Sequence, residues 1–138
     1  MTRLLIAYDG SQSAAAAITA AAELFPGSEA VVAHVASVTA AGGSLAQSAG
    51  GQATTGAREG VALAEQAGLK ASGVPAVTAG GSAVARLIAD LADEHDASLV
   101  VVGTNGRSRL HSALTGTGAT GIIDYSRRPV LVIPPAAA

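Results

Sequence analysis

Five short apolar runs constrain this chain more than any other feature. They are Leu4-Leu5-Ile6-Ala7-Tyr8, Ala30-Val31-Val32-Ala33-His34-Val35, Val74 to Thr78, Leu99-Val100-Val101-Val102 and Val130-Leu131-Val132-Ile133. A strand with one wet face alternates apolar and polar residues, whereas a strand covered on both faces does not. Segments of helical period lie between the runs. Ile18, Ala21, Ala22 and Phe25 recur at i, i+3, i+4 and i+7, and so do Val84, Leu87, Ile88 and Leu91. Strands alternating with helices predict an α/β fold, a five-stranded parallel sheet with helices on both faces. Such a sheet takes its ligand at the carboxyl ends of the strands, where the strand order reverses.

Punctuation supports these limits. Asp9-Gly10 ends the first strand, and Ser11 or Ser13 can cap the following helix. Pro26-Gly27 stops that helix. Pro75 places the third strand at a sheet edge, because proline cannot donate to a ladder. Gly80-Gly81 turns the chain and Ser82 caps the next helix, while Pro129 and Pro134-Pro135 bracket the last strand. Residues 36–56 are rich in Gly, Ala, Ser and Thr. They read as a mobile loop, with a lid over a ligand as the functional alternative. A weak helix follows from about 53 to 67, in which Gly56 and Gly60 each cost about 1 kcal/mol relative to alanine.

With 138 residues, no internal repeat and no linker, the chain is expected to form one domain over residues 1–138. Aromatic residues are only 2%, so the core must be built from Val, Leu, Ile and Ala. Small side chains each bury little area, at about 25 cal/mol per Å², which favours support from a second subunit. A net charge of −2 with no basic block argues against a nucleic-acid face. The absence of cysteine excludes disulfides, thiolate catalysis and Cys-based zinc sites. The first apolar run is too short for a signal core or a membrane span, so the expected compartment is the cytoplasm.

The chemistry concentrates after the fourth apolar run. Gly103, two residues, Gly106, nine residues, Gly116 and then Thr117 form a bare loop between a strand end and a helix start. Glycines let a main chain approach a ligand closely, and free N–H groups at a helix start attract phosphate. The segment lacks the lysine of a GxxxxGK[ST] loop. Gly116 to Gly121 spells GxGxxG, but no strand precedes it and no acidic residue lies about 20 positions on. Arg107 and Arg109 lie where phosphate charge needs neutralising. His34 reads as a packed histidine, and the three histidines share no metal-ligand spacing. No Ser/His/Asp set or nucleophile elbow is present.

These residues resemble the universal stress protein family, in its ATP-binding branch with the signature G-x2-G-x9-G-[S/T]. The resemblance rests on Gly103-Thr104-Asn105-Gly106, Gly116-Thr117 and the closing Arg128-Pro129-Val130-Leu131-Val132-Ile133. It extends to Ile6-Ala7-Tyr8-Asp9-Gly10-Ser11, Ala33-His34-Val35 and Gly80-Gly81-Ser82. It implies a Rossmann-like three-layer sandwich of the adenine nucleotide alpha hydrolase kind, and a site for ATP or another adenine nucleotide, with or without Mg²⁺. Asp9 would reach the ribose or, through a metal, the phosphates. Ala7 and Val35 would flank adenine, and Val102 and Gly103 would lie along the nucleoside. Gly106, Arg107, Gly116, Thr117, Gly118 and Ala119 would surround the phosphates. Gly118 and Ala119 depart from the branched and hydroxyl residues frequent there.

The resemblance also implies a homodimer through antiparallel pairing of Val130, Leu131, Val132 and Ile133. The null alternative is a last strand buried inside the monomer's own sheet. The function implied is stress-related nucleotide binding without fast turnover. A weak ATPase or autokinase, and a nucleotide-free interaction module, are the alternatives.

Overall fold

The computed structural model describes residues 2–37, 45–78, 82–103 and 121–134. Five strands form one parallel sheet: β1 (Arg3–Ala7), β2 (Glu29–Ser37), β3 (Lys70–Thr78), β4 (Leu99–Gly103) and β5 (Val130–Ile133). The order across the sheet is β3-β2-β1-β4-β5. The chain builds outward from β1 to β3 and then returns to start again on the other side of β1 with β4. The strand order therefore reverses between β1 and β4, and their carboxyl ends open the crevice where such sheets bind ligands. All four neighbouring pairs are parallel, as the unbroken apolar runs required.

Two helices, α1 (Gln12–Leu24) and α2 (Leu45–Gln66), cover one face. There Leu4, Ile6, Tyr8, Val32 and Val101 pack with Ala14, Ala17, Ile18, Ala21 and Ala64. Helix α3 (Ser82–Glu94) and the single-turn α4 (Ile122–Tyr125) cover the other. There Leu5, Ala7, Val31, Ala33, Val100 and Val102 pack with Val84, Ala85, Ile88, Leu91 and Ile122. Odd and even residues of β1 thus serve opposite cores, as a period of two demands.

α1 begins as expected. Asp9 Oδ1 accepts from the Ser11 N–H at 3.0 Å, and Ser11 Oγ accepts from the Ala14 N–H at 3.1 Å. A side-chain cap of this type contributes about 1 kcal/mol.

The helix expected from about 53 starts earlier: residues 45–52, expected to be loop, are helix, because α2 starts at Leu45 and runs for 22 residues. Residues 38–44 lie outside the described part, and the lid reading falls partly on them. The fully buried residues of α2 are small, with Val61 and Leu63 packing half-buried at its flank. Ala53, Ala57 and Ala64 are buried at i, i+4 and i+11, and Gly60 completes the stripe. Gly60 permits close approach: a Cβ there would lie 2.6 Å from Val32 Cγ1 and 3.0 Å from the Tyr8 ring. The cost of helical glycine is met by packing of helix on sheet.

β3 is longer than expected, starting at Lys70 rather than Val74. Lys70, Ser72 and Gly73 are exposed, so this half carries no apolar signal. Its edge position agrees with Pro75.

β5 occupies the other edge, not the sheet interior. Arg128 ties the start of β5 to the end of α3. Its Nε meets Asp93 Oδ1 at 3.1 Å, one terminal nitrogen meets Asp96 Oδ1 at 3.3 Å and also donates to the Ala97 carbonyl, and Arg127 joins on Asp93. The hydrogen bond from Arg128, ahead of that from Arg127, holds the Asp93 carboxyl below its ordinary range.

Candidate functional site

The structure brings Ala7, Asp9, Val35, Val102 and Gly103 to the carboxyl end of the sheet. Ile6 pairs with Val101 and Ala7 with Ala33, so Ala7, Val102 and Val35 stand on adjacent strands around the reversal point. Ala7 and Val102 are buried in the α3-side core, and Val35 packs against it. Asp9 follows β1 by two residues. Gly106, Arg107, Gly116, Thr117, Gly118 and Ala119 lie outside the described residues.

Asp9 carries the decisive electrostatic feature. One carboxylate oxygen is used by the Ser11 N–H. The other, Oδ2, is buried and has no hydrogen-bond partner among the described residues. A buried polar atom without a partner costs about 1–3 kcal/mol, and more when charged. Such an atom at a strand tip is what a ligand's hydroxyl or amine can satisfy. Beside it, Gly103 has no room for a side chain. A Cβ there would lie 2.6 Å from Ser13 Oγ and 2.7 Å from the Ser13 carbonyl oxygen. The end of β4 and the first turn of α1 therefore meet backbone to backbone. The positive φ of Gly10, 84°, makes the turn between Asp9 and α1.

A second polar group lies under α2, and sequence reasoning reached only part of it. The Tyr8 hydroxyl donates to the Glu59 carboxylate from α2. The His34 ring stands 6.2 Å from the Tyr8 ring, and its Nδ1 is buried without a partner among the described residues. Burial first, then the hydrogen bond to Glu59, push the Tyr8 phenol far above its ordinary range, so it remains a donor. Burial lowers His34 below its ordinary value of 6.5, against the opposing pull of Asp9 and Glu59. His34 was legible as a packed histidine. Glu59 carried no signal, because nothing in a run of mixed residues shows which glutamate meets the Tyr8 hydroxyl.

The His34 shift has a defined sign. The folded protein prefers the neutral imidazole, so this stability is complete above about pH 6.5 and declines as pH falls from there towards the lowered folded value. Urea midpoints are expected to drop across that window. His34→Gln should flatten that part of the profile.

A hollow of about 850 Å³ lies at the opposite end of the sheet. Its walls include Arg3, Glu29, Lys70 and Asp96 at strand starts and helix ends. It is away from the strand tips, where α/β sheets place their ligands.

The chain matches the sequence profile described as the universal stress protein family over residues 1–134. The chain belongs to the universal stress protein family. Solved structures agree on the fold. A universal stress protein from Archaeoglobus fulgidus in complex with dAMP is 22% identical, with a TM-score of 0.67 and coverage of 96% of this chain and 98% of that one. A universal stress protein in complex with cAMP is 22% identical, with a TM-score of 0.66 and coverage of 98% of both chains. A universal stress protein family protein from Arabidopsis thaliana, with AMP bound, is 14% identical, with a TM-score of 0.67 and coverage of 99% and 94%. No curated protein sequence is significantly similar to the chain. As in those family members, a doubly covered parallel sheet is the frame of the molecule. No helix among the described residues is long and apolar enough to cross a membrane.

Proposed function

We propose that this universal stress protein binds ATP, or another adenine nucleotide, at the β1–β4 reversal point and acts by ligand-dependent shape rather than by turnover. The observation that carries the reading is Asp9 Oδ2 at the tip of β1, buried and without a partner among the described residues. A ribose hydroxyl donating to it would relieve its desolvation. Ala7 and Val35 offer apolar contact to adenine, and Val102 and Gly103 offer main-chain groups along the nucleoside. Gly106, Arg107, Gly116, Thr117, Gly118 and Ala119 would hold the phosphates by N–H groups, one hydroxyl and one guanidinium. The structures with dAMP, cAMP and AMP support adenine nucleotides as the ligand class. The G-x2-G-x9-G-T spacing favours ATP among them. Mg²⁺ would supply charge neutralisation between the phosphates, and no cluster of three or more His, Asp or Glu among the described residues would hold it alone.

Mass spectrometry of ligand released from gently purified protein tests the reading. An intact adenine nucleotide is expected, with saturable heat on titrating emptied protein with ATP. No released nucleotide and no heat overturn it in favour of a nucleotide-free interaction module. Conversion of bound ATP within a single turnover would instead favour the weak ATPase or autokinase.

The same proposal extends to assembly and place. The protein acts as one domain in the cytoplasm, as a homodimer paired through β5. Val130, Leu131, Val132 and Ile133 are only half-buried, and β5 is an edge with β4 as its one neighbour among the described residues. An exposed apolar edge of this kind seeks another strand, and a two-fold axis lets β5 pair with itself. Val132→Lys is expected to shift sedimentation from dimer to monomer. An unchanged dimer removes β5 from the interface.

A further inference from the structure

We propose that the Tyr8–His34–Glu59 cluster beneath α2 links proton binding at His34 to the binding of an anionic nucleotide at the Asp9 tip. The inference rests on the nucleotide reading of that tip.

The cluster is a tight junction between two elements. From α2, Glu59 accepts the Tyr8 hydroxyl, and Gly56 lies so close to the His34 ring that a Cβ would sit 2.2 Å from its Cδ2. From the sheet, Tyr8 is the residue next to Asp9, and His34 is the neighbour of Val35. The ring thus lies on the α2 side of the sheet while the nucleotide would lie at the strand tips. His34 Nδ1 is buried and has no partner among the described residues. Burial, and after it the nearby carboxylates, set its proton affinity.

Among the described residues, the charged or titratable groups that face His34 are Tyr8 and Asp9 from β1 and the turn after it, and Glu59 from α2. β3 presents Pro75 at the same register, which does not titrate. Tyr8 stays protonated. The remaining influences on His34 are burial, which disfavours the imidazolium, and the two carboxylates, which favour it. A nucleotide whose ribose meets Asp9 brings the negative charge of its phosphates to the end of the sheet that carries Asp9 and Val35, the neighbour of His34, and excludes water that would screen it. The imidazolium is favoured in the bound state. By linkage, a proton on His34 then favours the ligand by the same factor. Adenosine fills the nucleoside positions without the phosphates and should leave His34 nearly unmoved.

The test is a proton NMR titration of the histidine rings in the wild-type protein, free, with saturating ATP, and with adenosine. The chain has three histidines, His34, His95 and His111, and His34→Gln identifies the resonance by its loss. If that variant does not fold, assignment through ring contacts to Tyr8 serves instead. The His34 midpoint is expected below the ordinary histidine range in free protein and higher by about one pH unit with ATP. That equals about tenfold tighter ATP binding to the protonated form. A midpoint that stays or falls while ATP perturbs other resonances overturns the linkage and leaves the nucleotide site standing. The same rise with adenosine overturns the role given to the phosphates, and with it the proposal. If ATP perturbs no resonance at any pH, the nucleotide site fails and the linkage fails with it.

Discussion

Gly56→Ala is expected to destabilise the protein, although alanine is the better helix former by about 1 kcal/mol. The residue sits inside α2 where the helix backbone presses on the His34 ring. An added Cβ would lie 2.2–2.4 Å from three ring atoms. The ring cannot swing aside freely, because Tyr8 flanks it and is itself held by its hydrogen bond to Glu59. Overpacking of this kind costs about 1–3 kcal/mol, with larger values where backbone must move. The clash exceeds the propensity gain, so the net change is a loss of up to about 2 kcal/mol in chemical denaturation. Gly51 is the matched control. It lies in the same helix with nothing within 4 Å of an added Cβ, so Gly51→Ala should stabilise by up to about 1 kcal/mol. Opposite signs for two identical substitutions in one helix establish close approach as the reason for Gly56. Equal signs would remove α2 from its place over His34.

Asp9→Ala should separate binding from stability. The carboxylate has two roles in the structure, one oxygen in the turn before α1 and one buried without a partner. If Oδ2 meets a ligand hydroxyl, its removal deletes a charge-assisted hydrogen bond worth about 1.5–3 kcal/mol. ATP affinity is then expected to fall roughly 10- to 150-fold by calorimetry. Stability should change little, because Ser11 still caps α1 and an uncompensated buried oxygen has been taken away. A residue that served only the turn would give the reverse result, with stability reduced and ATP binding kept. That outcome would falsify the assignment of Asp9 to the ligand.

These two experiments probe sites of different legibility. Asp9 was visible in the chain, because a polar residue directly after an apolar run and before a capping serine marks a strand tip. Gly56 was visible only as a defect in a weak helix. Its reason depends on His34, which lies 22 positions earlier in the chain and on another element. The same blindness hid the first turns of α2. Small residues at Ala53, Ala57 and Ala64 carry little hydrophobic signal, yet they are buried because the helix lies close to β2 and β3. The early half of β3 was hidden for the opposite reason. An edge strand with exposed Lys70, Ser72 and Gly73 shows no burial pattern and is a strand through its pairing with β2.

What the amino-acid sequence determined alone is the class of architecture and the strand tip that bears Asp9. Unbroken apolar runs demand cover on both faces, and helical periods supply it, so a parallel α/β sheet follows from local patterns. Only the tertiary structure decided the strand order β3-β2-β1-β4-β5, the edge position of β5 and the meeting of Tyr8, His34 and Glu59. The physical reason is that burial is read within one element from its own period, whereas a contact between elements depends on register and approach distance. Those are set by the packing of the whole sheet against its helices, and one missing Cβ at Gly56 is enough to change them.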